Sequence, residues 1–405
     1  MAMSTTVNFN GTVRLRYTDV LYYSTDGVSY YDAITPIIFQ TTDTLTVLFT
    51  SNITLTTVND YFIVGSNNIT FNGDGHIVEI SGVSDYSGLI QNGTSESDGY
   101  ENINIQYILI KNSDSTLALG SGWLCQSYFD NGTVDTCCSN GSISNSSGGL
   151  FGSHASNCSA TACYSVGPMS SSAGGIYAPF ASNCFANDCY SMGNIGNFGG
   201  GIYGNSPTSC VAENCYSLGS VLSVAGGIFG YTANTCTATN CYSAGVVDTI
   251  GYGIFGEDST ECVTTNCYSE GDNETSGWHT ANVPISDISS MWVIIGEDIP
   301  YLLKSFDKPI YSALGATILR NGSTSMTIYA TMPSFSLIDA DPSIEFNEAY
   351  QLVGTETGTF NFKVMNYGGM APILYSINDF ILTVTGNRYY VGRKCGGRLP
   401  IIKKI

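Results

Sequence analysis

A motif recurs every 26 residues through the middle of this 405-residue chain, without one insertion. The string Cys-Tyr-Ser-x-Gly begins at Cys163, Cys189, Cys215, Cys241 and Cys267, and a degenerate copy begins at Cys137. A second cysteine precedes each of the five full strings by five positions, and a Gly-aliphatic-aromatic-small column keeps the same phase from Gly149 to Gly256. Three independent columns at one spacing predict a structural repeat.

The repeat predicts an all-β solenoid. Helix-forming stretches with a 3.6-residue period are scarce, whereas short Val, Ile, Thr, Tyr and Phe runs between Gly and Asn are frequent. A unit of 26 residues is too short for a propeller blade and lacks the helix of leucine-rich or ankyrin repeats. Each unit therefore forms one coil, and six coils stacked at about 4.8 Å give a rod roughly 29 Å tall.

Alternation within one coil predicts which side chains fill the interior. Cys210, Ala212, Cys215 and Ser217 point inward, provided that a bend resets the phase between the two cysteines. Asn214 is expected in that bend because asparagine tolerates the left-handed conformation of a tight corner.

The flanking sequence predicts five further regions. Gly122 to Cys125 resembles one more coil, 27 residues before Gly149 to Gly152, and earlier strand-like runs predict less regular coils. The predicted organisation is an N-terminal β cap (1–50), irregular coils (51–136), six regular coils (137–280), a solenoid cap (281–310), a small β-sandwich (311–387) and a basic tail (388–405).

Charge is distributed unevenly. The formal net charge is −20, and the first 303 residues hold three basic and 26 acidic residues. The last 102 residues hold ten basic and seven acidic residues, and the tail contains Arg388, Arg393, Lys394, Arg398, Lys403 and Lys404. An acidic chain argues against nucleic acid as a partner. No window is apolar enough for a membrane span, and the Met1 segment lacks the apolar region of a secretion signal.

The repeats resemble those of a known family. Asn-Cys-Tyr-Ser-x-Gly and Gly-Gly-Ile-Phe-Gly, followed by Pro300-Tyr301-Leu302, are similar to the GLUG-type right-handed parallel β-helix repeats of large eukaryotic DNA viruses, with relatives on bacterial surfaces. Asn68 to Ile80 resembles the start of such a helix. The resemblance covers about residues 52–306 and implies a virion or surface component with a structural or adhesive role.

The paired cysteines leave two alternatives open. Each C-x4-C pair closes a disulfide across its corner, or all of these cysteines are thiols packed in two ladders. Disulfides would imply an oxidising environment. The spacing and the three histidines argue against a metal site. The candidate disulfide cysteines are Cys158, Cys163, Cys184, Cys189, Cys210, Cys215, Cys236, Cys241, Cys262 and Cys267.

The column after the second cysteine is expected to face outward as an aromatic stripe. Its members are Tyr164, Tyr190, Tyr216, Tyr242 and Tyr268. Two alternatives follow: the rings stack between coils and stiffen the rod, or the stripe contacts a glycan or a neighbouring subunit.

Catalytic patterns are weak. No Lys or Arg lies between Lys111 and Lys304, which argues against a polysaccharide lyase. Asp248 and Glu274 share a phase as a glycosidase pair would, but both lie in variable, solvent-facing stretches. Glu257, Asp258 and Glu261 cluster in one turn that is expected to be solvated, and His76 follows a Gly-Asp-Gly turn.

The sequence therefore predicts a non-enzymatic structural or adhesive protein of a large DNA virus particle, without a cofactor or a metal. It would serve as a capsid-associated, spike or attachment component. The expected partners are other virion or capsid proteins, with glycans and homo-oligomers also compatible. The basic tail docks onto an acidic partner or is a solvated, mobile end. A glycan-degrading β-helix depolymerase and a bacterial surface adhesin are the alternatives.

Overall fold

The structure is a computed structural model that describes residues 4–95, 98–243, 247–248, 251–265 and 267–269, together with the backbone of strands between 292 and 404. The described residues form strands and turns and no helix. The chain divides into two units, Met1–Asn282 and Val283–Ile405.

The described residues of the first unit form 25 short strands. In chain order they are β1 (Thr5–Asn8), β2 (Gly11–Tyr17), β3 (Leu21–Ser24), β4 (Tyr31–Asp32), β5 (Ile37–Gln40), β6 (Leu45–Phe49), β7 (Ile53–Leu55), β8 (Phe62–Val64), β9 (Ile69–Asn72), β10 (Ile77–Ser81), β11 (Ile90–Gln91), β12 (Ile103–Gln106), β13 (Leu109–Ser113), β14 (Gly132–Asp135), β15 (Cys138–Ser139), β16 (Ser159–Thr161), β17 (Tyr164–Ser165), β18 (Phe185–Asn187), β19 (Tyr190–Ser191), β20 (Val211–Glu213), β21 (Tyr216–Ser217), β22 (Thr237–Thr239), β23 (Tyr242–Ser243), β24 (Val263–Thr265) and β25 (Tyr268–Ser269).

These strands stack into a parallel β-solenoid of about nine coils, which confirms the predicted parallel β-helix. One face is a twelve-stranded sheet in the order β24-β22-β20-β18-β16-β14-β12-β9-β6-β2-β3-β4, and a second is a nine-stranded sheet that runs from β25 to β7. The third face begins as the sheet β1-β5-β8-β11 and continues through isolated parallel bridges as far as Phe255.

The predicted register is confirmed wherever the repeat is regular. Tyr164 pairs with Tyr190, and Ala186 pairs with Ala212, so residues 26 apart lie opposite each other on adjacent coils. The predicted extra coil upstream is present, but its register differs by one residue from the prediction: Gly122 bridges Gly148 and Cys125 bridges Phe151, an offset of 26 residues where 27 was predicted.

The N-terminal region is more than a cap. Strand β1 pairs in parallel with β5, and β2 pairs in parallel with β6, so residues 5–49 already contain solenoid strands. The antiparallel strands β3 and β4 extend the sheet beyond β2. Strand β3 thereby pairs with the edge of β2 that a further parallel coil would otherwise cover.

Uncharged side chains fill the interior. Cys210, Ala212, Cys215 and Ser217 are all 0% exposed, as the alternation predicts. The aliphatic column is also buried; its members are Leu150, Ile176, Ile202, Ile228 and Ile254. Because a charge in such a column would face its like about 4.8 Å away, the regular coils exclude charged residues from these positions.

The second unit is described through its backbone strands. They are β26 (Trp292–Ile294), β27 (Pro300–Leu303), β28 (Ala316–Asn321), β29 (Ser325–Thr331), β30 (Tyr350–Gln351), β31 (Thr357–Met365), β32 (Phe380–Thr383), β33 (Arg388–Arg393) and β34 (Pro400–Lys404). They form a two-stranded sheet, a four-stranded sheet (β28-β29-β31-β32) and a three-stranded sheet (β30-β33-β34). The packing of a β-sandwich lies outside the described residues.

Candidate functional site

The paired cysteines form two buried ladders. Every described cysteine is a buried free thiol. The Sγ atom of Cys184 lies 3.3 Å from the carbonyl oxygen of Ser182 and 3.4 Å from that of Ala155 on the preceding coil, and the other ladder cysteines repeat this pattern. The thiols thus donate to backbone carbonyls between coils. The structure corresponds to the reduced alternative, and the oxidised pairing stays a prediction.

Burial makes Cys125 and Cys138, which lie outside the C-x4-C pairs, poor nucleophiles. Desolvation raises the pKa of the Cys138 thiol to about 12. The pKa of Cys125 is also raised well above its usual value, first by burial and then by the nearby Cys137. Because the thiolate is the reactive form, neither side chain is suited to nucleophilic catalysis at neutral pH.

The corner between each cysteine pair is left-handed, as predicted. Asn214 and Asn240 have φ angles of 56° and 52°. The Nδ2 amide of Asn240 donates to Oδ1 of Asn214 at 3.0 Å, and Asn214 donates in the same way to Asn187. The amides therefore bridge adjacent coils as well as permit the bend. Asn266 lies outside the described residues.

The tyrosine column is not an exposed stripe, so that prediction is wrong. Tyr164, Tyr190, Tyr216 and Tyr242 are only 5%, 3%, 2% and 1% exposed. The rings of Tyr190 and Tyr216 stack with their centroids 4.8 Å apart. None of the four tyrosines belongs to the main core cluster, which contains the adjacent inward cysteines. The tyrosines therefore lie on the predicted side of the strand, opposite the cysteines, but they are buried there and not exposed. The side chain of Tyr268 lies outside the described residues.

A second aromatic column lies inside the rod. Phe151, Tyr177, Tyr203, Phe229 and Phe255 stack at centroid distances of 4.6 to 4.8 Å and are at most 3% exposed. Burial raises the pKa of the Tyr203 hydroxyl, which donates to the carbonyl oxygens of Cys184 and Val211. This column stabilises coil stacking and offers no surface.

Aromatic side chains that are partly buried or exposed lie at a different corner, and of these Phe180 and Phe198 are exposed. Tyr128, His154 and Phe180 occupy equivalent positions, and their rings stack at 4.8 Å and 5.0 Å. Phe198 packs edge-on against Tyr231 with a centroid distance of 5.2 Å. Sequence reasoning missed this surface, although the 26-residue spacing of Tyr128, His154 and Phe180 is visible in the sequence.

The acidic candidates do not converge among the described residues. Glu274, the proposed partner of Asp248, lies outside them. Asp258 accepts a hydrogen bond from the Tyr231 hydroxyl at 2.5 Å. Within the described part of the chain, no group of three or more His, Cys, Asp or Glu residues is placed to hold a metal ion.

A groove of about 320 Å³ opens beside the N-terminal hairpin, and Asp19 and Asp60 are among its lining residues. The Asp60 carboxylate accepts hydrogen bonds from the Thr35 hydroxyl and from the backbone amides of Thr56 and Thr57. Asp60 therefore holds the groove wall together.

Arg388, Arg393, Lys403 and Lys404 of the tail belong to two paired strands. Strands β33 and β34 are antiparallel, with Tyr389 opposite Lys404. The side chains of the six basic tail residues lie outside the described residues. In the described chain, no helix is long and apolar enough to cross a membrane.

Comparison with known proteins adds no functional assignment. No protein-family model matches the chain, and no curated protein matches it. The chain is similar to the crystal structure of a Bacteroides ovatus protein described as a putative immunoglobulin A1 protease, with 16% identity, a TM-score of 0.28, and coverage of 62% of this chain and 92% of that one. A likeness at this level carries no argument about function.

Proposed function

We propose that this chain is a non-enzymatic structural or adhesive protein of a large DNA virus particle, present as a capsid-associated, spike or attachment component. The observation that carries the proposal is the filling of the regular coils by in-register columns of small, uncharged and aromatic side chains. Such columns make a stiff rod, and they leave the turns between strands as the places where surface chemistry varies.

The resemblance to GLUG-type β-helix repeats supports the particle context. The columns that carry it, Cys-Tyr-Ser-x-Gly and Gly-Ile-Phe-Gly, are those that build the coil interior. These columns therefore indicate how the rod is built, and the location of the chain is tested by a separate experiment.

Charge suggests how the chain is held in a particle. The first 303 residues are strongly acidic, whereas six of the ten basic residues of the remainder fall between Arg388 and Lys404. In this proposal the C-terminal region docks onto an acidic surface of another virion protein.

Mass spectrometry of purified particles tests the location. The chain should be recovered at a constant ratio to the major capsid protein through successive purification steps. Recovery only in the soluble fraction of infected cells would contradict the proposal. Omitting reductant in the same experiment reports the state of the cysteines.

A charge-neutralised tail tests the docking. Replacing Lys403 and Lys404 by Gln should reduce incorporation into particles, because the neutral side chains keep much of their length but lose the attraction to an acidic partner. Lys304→Gln together with Lys363→Gln is the matched control, since both lysines lie in the C-terminal region but outside the tail. Equal incorporation of the two variants would contradict the proposed docking role of the tail.

The depolymerase alternative predicts a different result. A β-helix enzyme would release reducing ends from a neutral or acidic polysaccharide on incubation with the purified chain. Release that persists after Asp248→Asn would point to a site elsewhere in the chain, and any release at all would contradict the non-enzymatic proposal.

A further inference from the structure

One part of the aromatic corner, which we call the aromatic notch, is defined by Phe180, Phe198, Asn205, Ser206 and Tyr231. Backbone hydrogen bonds fix these residues next to one another. Phe180 N donates to Asn205 O at 2.9 Å, Ser206 N donates to Tyr231 O at 2.8 Å, and Tyr231 N donates to Phe198 O at 3.1 Å. The notch is thus built on the rigid coil framework.

The notch begins where a ring stack ends. His154 covers one face of Phe180, with the two ring planes within 18° of parallel. On the next coil the equivalent residue is Ser206, which is too small to cover the other face, and Phe180 is 49% exposed. The position that the next ring of the stack would occupy is therefore open to a flat, ring-shaped ligand.

The residues next to Phe180 supply aromatic rings and an amide donor. Phe198, 38% exposed, and Tyr231 form an edge-on pair at 83°. Oδ1 of Asn205 accepts hydrogen bonds from the hydroxyls of Ser206 at 2.7 Å and Thr232 at 3.1 Å. This arrangement orients the amide so that Nδ2, which has no partner among the described residues, is left to donate to a ligand.

We infer that the aromatic notch binds a sugar unit of a neutral glycan. The C–H face of a pyranose ring stacks on an aromatic face, while its hydroxyl oxygens accept hydrogen bonds from amide donors such as Asn205 Nδ2. Exposed apolar surface bordered by polar groups is typical of such binding sites.

Charge argues for a neutral ligand. No Lys or Arg lies between Lys111 and Lys304, so an anionic polymer would meet no basic side chain on the regular coils. A cationic group offers no oxygen that could accept a hydrogen bond from Nδ2 of Asn205. The nearby carboxylate of Asp258 already accepts a hydrogen bond from the Tyr231 hydroxyl. A second copy of this chain would bring another net charge of −20 against the same surface.

Titration of the full-length chain with cellohexaose, mannohexaose, xylohexaose and chitohexaose tests the inference by isothermal calorimetry. At least one should bind, with an affinity unchanged by 1 M NaCl, and heparin should not bind. Phe180→Ser and Asn205→Asp should each weaken binding about tenfold, the loss expected for a central contact residue. Asn205→Asp removes the donor while its oxygens still accept from Ser206 and Thr232.

Two further variants separate recognition from general damage. Phe180→Tyr keeps a ring at the position and should retain binding. Val263→Ser removes an apolar side chain that is 54% exposed on strand β24, outside the notch, and should also bind normally.

Three results would overturn the inference. These are the absence of binding to all four oligosaccharides up to 10 mM, equal binding by wild type and Phe180→Ser, and displacement of the sugar by tetramethylammonium, which would identify a cation site. The inference goes beyond the particle role and can fail separately from it. A chain that binds glycan but is absent from particles refutes only the proposed function, and a particle protein that binds no glycan refutes only the notch.

Discussion

Tyr190 and Tyr216 stack on adjacent coils with their ring centroids 4.8 Å apart and their planes within 8° of parallel, and both rings are buried. The spacing of the rings equals the spacing of neighbouring strands in a sheet, so each ring adds a side-chain contact to every backbone pairing. The column therefore couples one coil to the next outside the main core.

Truncating one ring of this column should destabilise the rod. Tyr216→Ala removes a ring that is 2% exposed and leaves a cavity between two others, at a cost of about 4 kcal/mol. Thermal melting followed by circular dichroism should show a clearly lower midpoint. Tyr107→Ala is the matched control, because Tyr107 is 42% exposed and should change the midpoint little. Equal shifts for the two variants would contradict the structural role of the column.

The left-handed corners give predictions of opposite sign. Asn214→Gly keeps the φ angle of 56° accessible but removes both amide hydrogen bonds between coils, so it should destabilise by about 1 kcal/mol. Ala162 has a φ angle of 53° at the equivalent corner without such an amide. Ala162→Gly should therefore stabilise by about 1 kcal/mol. Unfolding in guanidinium measures both. Stabilisation by both variants would show that backbone strain outweighs the amide hydrogen bonds at Asn214, and destabilisation by both would show that strain does not decide the effect at Ala162.

The regular coils were predictable because one spacing fixes strand register, interior columns and corner at once. Asn214 is the clearest case, since two inward cysteines five residues apart require a bend between them. The burial of Tyr190 was not predictable from alternation, which gives the side of the strand but not what covers that side. The aromatic notch was not predicted because it depends on a change of residue type within one column, from Phe180 to Ser206. The repeat was identified from residues that stay the same in every coil, so a position that changes did not stand out.

Alkaline pH should destabilise the fold through the buried thiols. Burial raises the folded-state pKa of Cys138 to about 12, whereas an unfolded cysteine titrates near 8.5. Between these values the unfolded chain loses the proton first, so the free energy of unfolding falls as pH rises, by about 1.4 kcal/mol per pH unit for each such thiol. Melting midpoints measured from pH 7 to 11 should decline above pH 8.5.

A cysteine variant isolates this contribution. The side-chain interaction with Cys210 on the preceding coil and burial raise the pKa of Cys236 to about 12. Cys236→Ala should therefore start from a lower midpoint but decline less steeply with pH. The unsubstituted chain, denatured without reductant, should react with iodoacetamide at every cysteine of the two ladders. Protection of C-x4-C pairs until a reductant is added would instead establish the intra-coil disulfides.

Gly201 marks the limit on how closely the coils approach. An added Cβ at this position would overlap the carbonyl oxygen of Gly227 on the next coil and would lie 2.6 Å from Cβ of Ser217. Neither contact can relax, because one atom is backbone and the other belongs to a buried column residue, so Gly201→Ala should separate two coils and prevent cooperative folding. Gly82→Ala is the control: its φ of 66° carries a strain of about 1–2 kcal/mol, but nothing lies within 4 Å of the added Cβ. Soluble yield and melting midpoint should fall sharply only for Gly201→Ala. A well-folded Gly201→Ala chain would mean that the coils tolerate a wider spacing than the 4.8 Å ring stacks show.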